Sequence, residues 1–176
     1  RDLAAMIQQR LIVEGIRGVL DGRVRGNPGM HQTAMAAAAM ALDHPEWTPR
    51  WLDWLFTPEG GVPHVMNELL SRDGASHEAS LGYAMIPGDQ FSRLAEMLRR
   101  YTPYDRHDLY RDYPKFRAYF TLPSRVRACD AYAPHWADDG QATTGNSVTR
   151  LGLAPVEELG HDLPHVIGQV VGRQAL

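Results

Sequence analysis

Three segments hold the side chains best suited to chemistry. The first is Gly26-Asn27-Pro28-Gly29-Met30-His31-Gln32, which sets an amide, an imidazole and a second amide around a predicted helix start. Free N–H groups and partial positive charge at a helix N-terminus favour an anion. Asn27 also suits plain capping, and His31 and Gln32 could simply pack. The second segment is Ser76-His77-Glu78-Ala79-Ser80-Leu81-Gly82-Tyr83. A phenol after glycine in a polar, irregular stretch can reach into a cleft, or it can settle half-buried on one hydrogen bond. The third runs from Cys129 to Gly145 and carries His135, Trp136, Asp138 and Asp139. There the indole can stack on a sugar face, and the carboxylates can cap or bind hydroxyls.

Other chemistries find little footing. His161 and His165 are four apart, but the stretch between them lacks the glutamate of the zinc-protease pattern and contains Pro164, so no metal is expected. There is no Gly-x-Ser-x-Gly elbow, P-loop or dinucleotide fingerprint, and no cofactor is expected. Cys129 is the single cysteine, which excludes an internal disulfide framework. A net charge of −3 argues against a nucleic-acid partner. The most apolar run, Met35–Leu42, is too short for a membrane span, and no membrane partner is expected. All but Lys115 of the 18 basic residues are arginine. Arginine grips carboxylate or sulfate in two places, although genome composition accounts for such a bias more simply.

The elements that must position these groups are helices. Leu3, Ile7, Leu11, Ile16 and Leu20 recur at four- and five-residue steps, with Asp2 as a cap and Gly22 and Gly26 closing the element. A second helix is expected from Pro28 to about Leu42, with Asn27 as its N-cap and an alanine-rich surface that lets neighbours approach closely. A third lies between Pro45 and about Phe56, where Trp47, Trp51 and Trp54 share a face as a packed aromatic core or a sugar-stacking platform. Pro63 to about Ser71 gives a fourth. A fifth follows Pro87, with Asp89 near its start and Phe91, Leu94, Met97 and Leu98 as its stripe. Tyr101 to Pro114 reads mostly as connection. A helical stretch begins at Phe116 and is interrupted at Pro123, and a last helix spans about Val156–Arg173. No pair of strands is visible. The expected fold is all-α, a single helical domain over 1–176 with helices joined as hairpins.

Taken together and in order, Asn27-Pro28-Gly29-Met30-His31-Gln32, Glu78-Ala-Ser-Leu-Gly-Tyr83 and Pro134-His-Trp-Ala-Asp-Asp-Gly140 resemble the helical catalytic domain of the heparinase II/III-like polysaccharide lyases, a superfamily that includes oligoalginate lyases. The resemblance spans most of the chain but rests on short motifs. It implies an incomplete (α/α) toroid, of which 176 residues hold only a part, and flanking domains of a longer parent chain. It also implies a periplasmic or secreted setting and an acidic polysaccharide or oligosaccharide as partner. Where relatives carry His directly after the Asn, this chain has Pro28, so that role falls to Asn27 or His31.

The implied reaction is β-elimination at a uronic acid. Removing the C5 proton puts a second negative charge beside the carboxylate, so the site must neutralise the carboxylate and stabilise the intermediate. The implied catalytic set is Asn27, His31 and Tyr83. The first two hold the carboxylate, and Tyr83 moves the proton. A phenol ordinarily titrates near 10, so a nearby cation is required, with His77 and Arg25 as candidates. Gln32, Glu78, His135 and Trp136 are the implied substrate-binding residues. Two other readings stay open. One is an (α/α)-barrel glycoside hydrolase using Glu78 with Asp138 or Asp139. The other is a helical carbohydrate-binding or scaffold fragment without turnover.

Overall fold

A computed structural model of the chain describes residues 2–78 and 81–125. Within them the protein is predominantly helical and holds no strand, only an isolated antiparallel bridge between Leu70 and Ser76. Helices α1 (Leu3–Ile7) and α2 (Glu14–Leu20) flank a π-helical segment, Gln8–Val13. Then come α3 (Met30–Leu42), α4 (Trp47–Leu55) and a short α5 (Val62–His64) that runs into a π-helical turn, Val65–Leu69. The long α6 (Leu81–Arg100), the short α7 (Leu109–Asp112), a 3-10 turn (Pro114–Arg117) and α8 (Ala118–Arg125) complete the described chain.

Helix α3 is the centre. Met35, Ala36 and Ala39 are buried, and α2, α4 and α6 all pack against it. Small alanine side chains allow that close approach, as the composition of this helix predicts. Polar ties fix its neighbours. Thr33 Oγ1 donates to the Gln90 carbonyl of α6 at 2.9 Å, and Thr48 Oγ1 donates from α4 to the Ala39 carbonyl at 2.8 Å. Both threonines are buried, so each hydroxyl must find a partner inside the core.

Several boundaries differ from the sequence expectation, each for a physical reason. Asp2 caps α1 as expected, accepting from Ala4 N–H at 3.0 Å. Helix α3 starts at Met30, and its N-cap is Gly29, not Asn27. Gly29 has φ of +92°, and a Cβ there would lie 2.7 Å from Gln90 Cβ, so glycine is required twice over. Helix α6 begins at Leu81, ahead of Pro87, which it carries inside, so Tyr83 is helical and not on an irregular stretch. Gly88 in that helix gives way to the Tyr119 ring, since a Cβ would lie 1.7 Å from Tyr119 Cε1. The Tyr119 hydroxyl donates to the Met85 carbonyl. Tertiary packing against α3 and α8 thus carries a helix through a proline that would end it in isolation. Pro123 likewise does not interrupt α8, which reaches Arg125. Within the expected connection 101–114, Asp108 caps α7 by accepting from Tyr110 and Arg111 N–H, each at 2.9 Å.

Candidate functional site

The turn between α2 and α3 builds one wall of a cavity of about 650 Å³. Gly26, Pro28, His31 and Gln32 line it from that side, and Trp54 and His64 face it from α4 and α5. Gln32 shapes it. The side chain is 2% exposed; its Oε1 accepts from Gly29 N–H at 3.0 Å, and its Nε2 donates to the Gly60 carbonyl at 3.3 Å. One amide therefore closes the cap of α3 and pins the turn before α5 to it. This spends the two strongest contacts of Gln32 on architecture.

Two polar groups of the lining, the exposed Arg25 and the half-buried His31, hold no carboxylate among the described residues. Arg25 Nε donates to the Gly22 carbonyl at 3.0 Å, which fixes the guanidinium, and no carboxylate among the described residues pairs with it. Arg17, Arg23, Arg50 and Arg93 each hold a carboxylate at 2.8 to 3.1 Å, whereas Arg25, like the exposed Arg10 and Arg72, holds none among the described residues. His31 Nδ1 is buried and has no hydrogen-bond partner among the described residues. Burial lowers the His31 pKa, and the charge of Arg25 lowers it further. The Gly26 backbone opposes both but completes no bond to Nδ1. An exposed arginine held by its own turn, beside a half-buried imidazole whose Nδ1 lacks a partner among the described residues, has the chemistry to take an anion. The nearby indole of Trp54 adds an apolar wall.

The remaining candidates lie elsewhere. Asn27 is exposed, and its carbonyl accepts from Met30 N–H at 3.0 Å, so it belongs to the turn ahead of the cap. Tyr83 is 43% exposed on α6. It lies one helical turn before Pro87–Phe91, the stretch of α6 that packs on Gly29. Glu78 is exposed, with Oε1 3.4 Å from His77 Nε2. Among the described residues the cavity lining includes His31 and Gln32 but not Asn27, Glu78 or Tyr83. His135 and Trp136 lie outside the described residues, as do Asp138, Asp139, His161 and His165. Among the described residues no group of three His, Cys, Asp or Glu could hold a metal ion, and no described helix is long and apolar enough to cross a membrane.

The sequence motifs did not bring His64, Trp54 or Glu59 to this place. The one signal was Gly60-Gly61, which marks a tight turn after α4 but not the surface against which it folds. No family model, curated protein or solved structure matches the chain.

Proposed function

We propose that this chain is the helical part of a polysaccharide lyase that opens a uronic-acid glycan by β-elimination, its hairpins forming a portion of an (α/α) toroid. The observation that carries the proposal is the cavity at the mouth of α3, which Arg25 and His31 line without either being paired with a carboxylate among the described residues, although Asp21 and Glu59 line it too. A uronate carboxylate supplies what both groups lack. Bound between them, it loses much of the negative charge that makes its C5 proton hard to remove. Asn27, next to the cavity wall in sequence, contributes an amide donor to the same oxygens. Tyr83, on the helix that packs across Gly29, takes the C5 proton and returns a proton to the departing glycosidic oxygen. Phenol and leaving group then act on one face of the sugar.

The decisive experiment is ultraviolet spectroscopy of the chain with a uronate polysaccharide. Elimination creates a C4–C5 double bond conjugated to the carboxylate, so absorbance rises as chains are cut. A hydrolase releases reducing ends without that absorbance. Reducing ends alone would overturn the elimination reading. A second reading, an acidic-saccharide binder without turnover, is favoured by the placement of Tyr83 and Glu78 off the cavity lining. It predicts retardation in a gel containing the polysaccharide with no change in absorbance.

A further inference from the structure

A second cavity, of about 440 Å³, lies between the π-helical segment Gln8–Val13 with α2 on one side and the start of α4 on the other. Its apolar floor comes from Leu20, Leu42, Trp47 and Trp51. Trp47 is 46% exposed, an unusual state for so large an apolar ring. The ring is braced all the same. Trp51 stacks near it with centroids 6.1 Å apart, and the Arg50 guanidinium lies 5.2 Å from its centroid, itself held by Glu46 at 2.9 Å. The Trp47 N–H donates to His44 Nδ1 at 3.2 Å, and the Glu46 N–H donates to the same atom at 3.2 Å. Because Nδ1 accepts from two backbone groups, the ring proton of neutral His44 sits on Nε2. His44, which lines this groove with Gln8, therefore carries its N–H donor on Nε2. Arg17 lines it too but is paired with Glu14 at 2.8 Å.

We propose that this groove is a second saccharide-binding site, in which the Trp47–Trp51 pair takes the C–H face of a pyranose ring while His44 and Gln8 hydrogen-bond its hydroxyls. The donors on the rim match a ligand rich in hydroxyl acceptors, and the pre-set indoles match the flat apolar face that such a ring presents. The lining arginine is already neutralised by Glu14, so the groove grips the sugar ring itself and does not depend on a carboxylate. That sets it apart from the cavity at α3. The proposal rests on the glycan reading above for its class of polymer, and it assigns the groove the task of holding the chain beyond the reacting sugar.

The test is affinity electrophoresis of the full 176-residue chain in gels containing alginate or dextran, with circular dichroism to verify folding. Trp47→Ala is expected to weaken retardation about tenfold, the cost of one good aromatic contact. Trp47→Phe, which keeps an aromatic face, is expected to restore most of it. Arg25→Ala is expected to weaken retardation by alginate and leave dextran unchanged. If Trp47→Ala migrates like the parent in both gels, or neither glycan retards the parent, the groove proposal is overturned; the lyase reading is decided separately by absorbance. If sedimentation shows a dimer of the parent that Trp47→Ala converts to monomer, the groove is a self-association surface, and the proposal is likewise overturned.

Discussion

Two polar regions of this molecule are built on opposite plans. Around the segment 101–113, charged and phenolic groups are met by partners. The Tyr104 hydroxyl donates to Asp53 Oδ1 at 2.9 Å, and Arg106 pairs with the other oxygen of the same carboxylate. His107 Nδ1 lies 3.2 Å from Asp112 Oδ2, and its ring stacks on Phe56 with centroids 4.0 Å apart. At the mouth of α3, Arg25 holds only a carbonyl, and no described group bonds to His31 Nδ1. A network whose members satisfy one another spends its energy on position. A buried donor or acceptor without a partner costs stability, and that cost is recovered when a ligand completes the set. The first region reads as structure, and the second, through the unpartnered His31 Nδ1, supports the site proposed above.

The largest effect expected falls on turnover and not on the fold. Tyr83→Phe is expected to lower elimination by about 100-fold or more while leaving the helical circular dichroism unchanged. The hydroxyl is lost from an exposed ring, so the core is untouched. Full activity in this variant removes Tyr83 from the reaction and leaves the cavity as a binding site only.

The next effect separates the regions directly. Asp53→Ala leaves the buried Tyr104 hydroxyl without its acceptor and is expected to cost about 2 kcal/mol in chemical denaturation, with glycan binding intact. Arg25→Ala is expected to change stability by less than about 0.5 kcal/mol, because its loss breaks no ion pair among the described residues. The same change is expected to weaken uronate binding about tenfold. A large stability loss in the Arg25 variant would place the cavity with the structural network and undo the contrast.

How far the sequence foretold this follows the range of the forces involved. The all-helical character, the cap at Asp2 and the central place of the alanine-rich helix were legible, because propensity and periodicity are local. The start of α6 was not. Pro87 and Gly88 read as a break, yet the Tyr119 ring fills the space above Gly88 and the Tyr119 hydroxyl binds the Met85 carbonyl. A residue 31 positions away thus decides a local question. Asn27 looked like a cap by type, whereas the close approach of Gln90 demands Gly29 there. The motif pointed to His31 and Gln32 alike, and both line the cavity, but only contacts across the fold separate the unpartnered His31 Nδ1 from the amide committed to Gly29 and Gly60. The tryptophan triplet divides in the same way. Trp51 and Trp54 pack partly against the core, while Trp47 remains 46% exposed, which spacing alone does not distinguish.

A subtler distinction is pH dependence. Burial, then Arg25, lowers the His31 pKa below 6.5, so the folded chain disfavours the proton that the unfolded chain accepts. The stability contributed by neutral His31 is fully present above pH 6.5 and is lost as pH falls through the folded-state pKa. A bound carboxylate acts in the opposite sense, since it favours the imidazolium, so uronate affinity is expected to rise as pH falls through the same window. Asp112 in the network follows the same sign in a more acidic range. Burial pushes its carboxyl up, but hydrogen bonds from Arg111, the Asp108 backbone and His107 outweigh that and lower it. Its contribution is present above the usual carboxylate value and fades only in stronger acid. Thermal melts and binding titrations across pH 5 to 8 check the two His31 slopes, which His31→Gln is expected to flatten, and melts below about pH 4 check Asp112. Affinity that falls on acidification would place the ligand away from His31.

The smallest effect expected is also the cleanest discriminator at the α3 entrance. Were Asn27 the N-cap, Asn27→Ala would cost about 1 kcal/mol. Because Gly29 is the cap and Gln32 closes it, the substitution at an exposed turn residue is expected to change stability by less than about 0.5 kcal/mol. Stability and chemistry therefore separate at this position. A fall in elimination with an unchanged melting curve assigns the amide to the substrate carboxylate. An unchanged rate removes the Asn27 amide from the proposed carboxylate contacts. A melting curve lowered as far as cap loss requires would contradict the placement of the cap at Gly29.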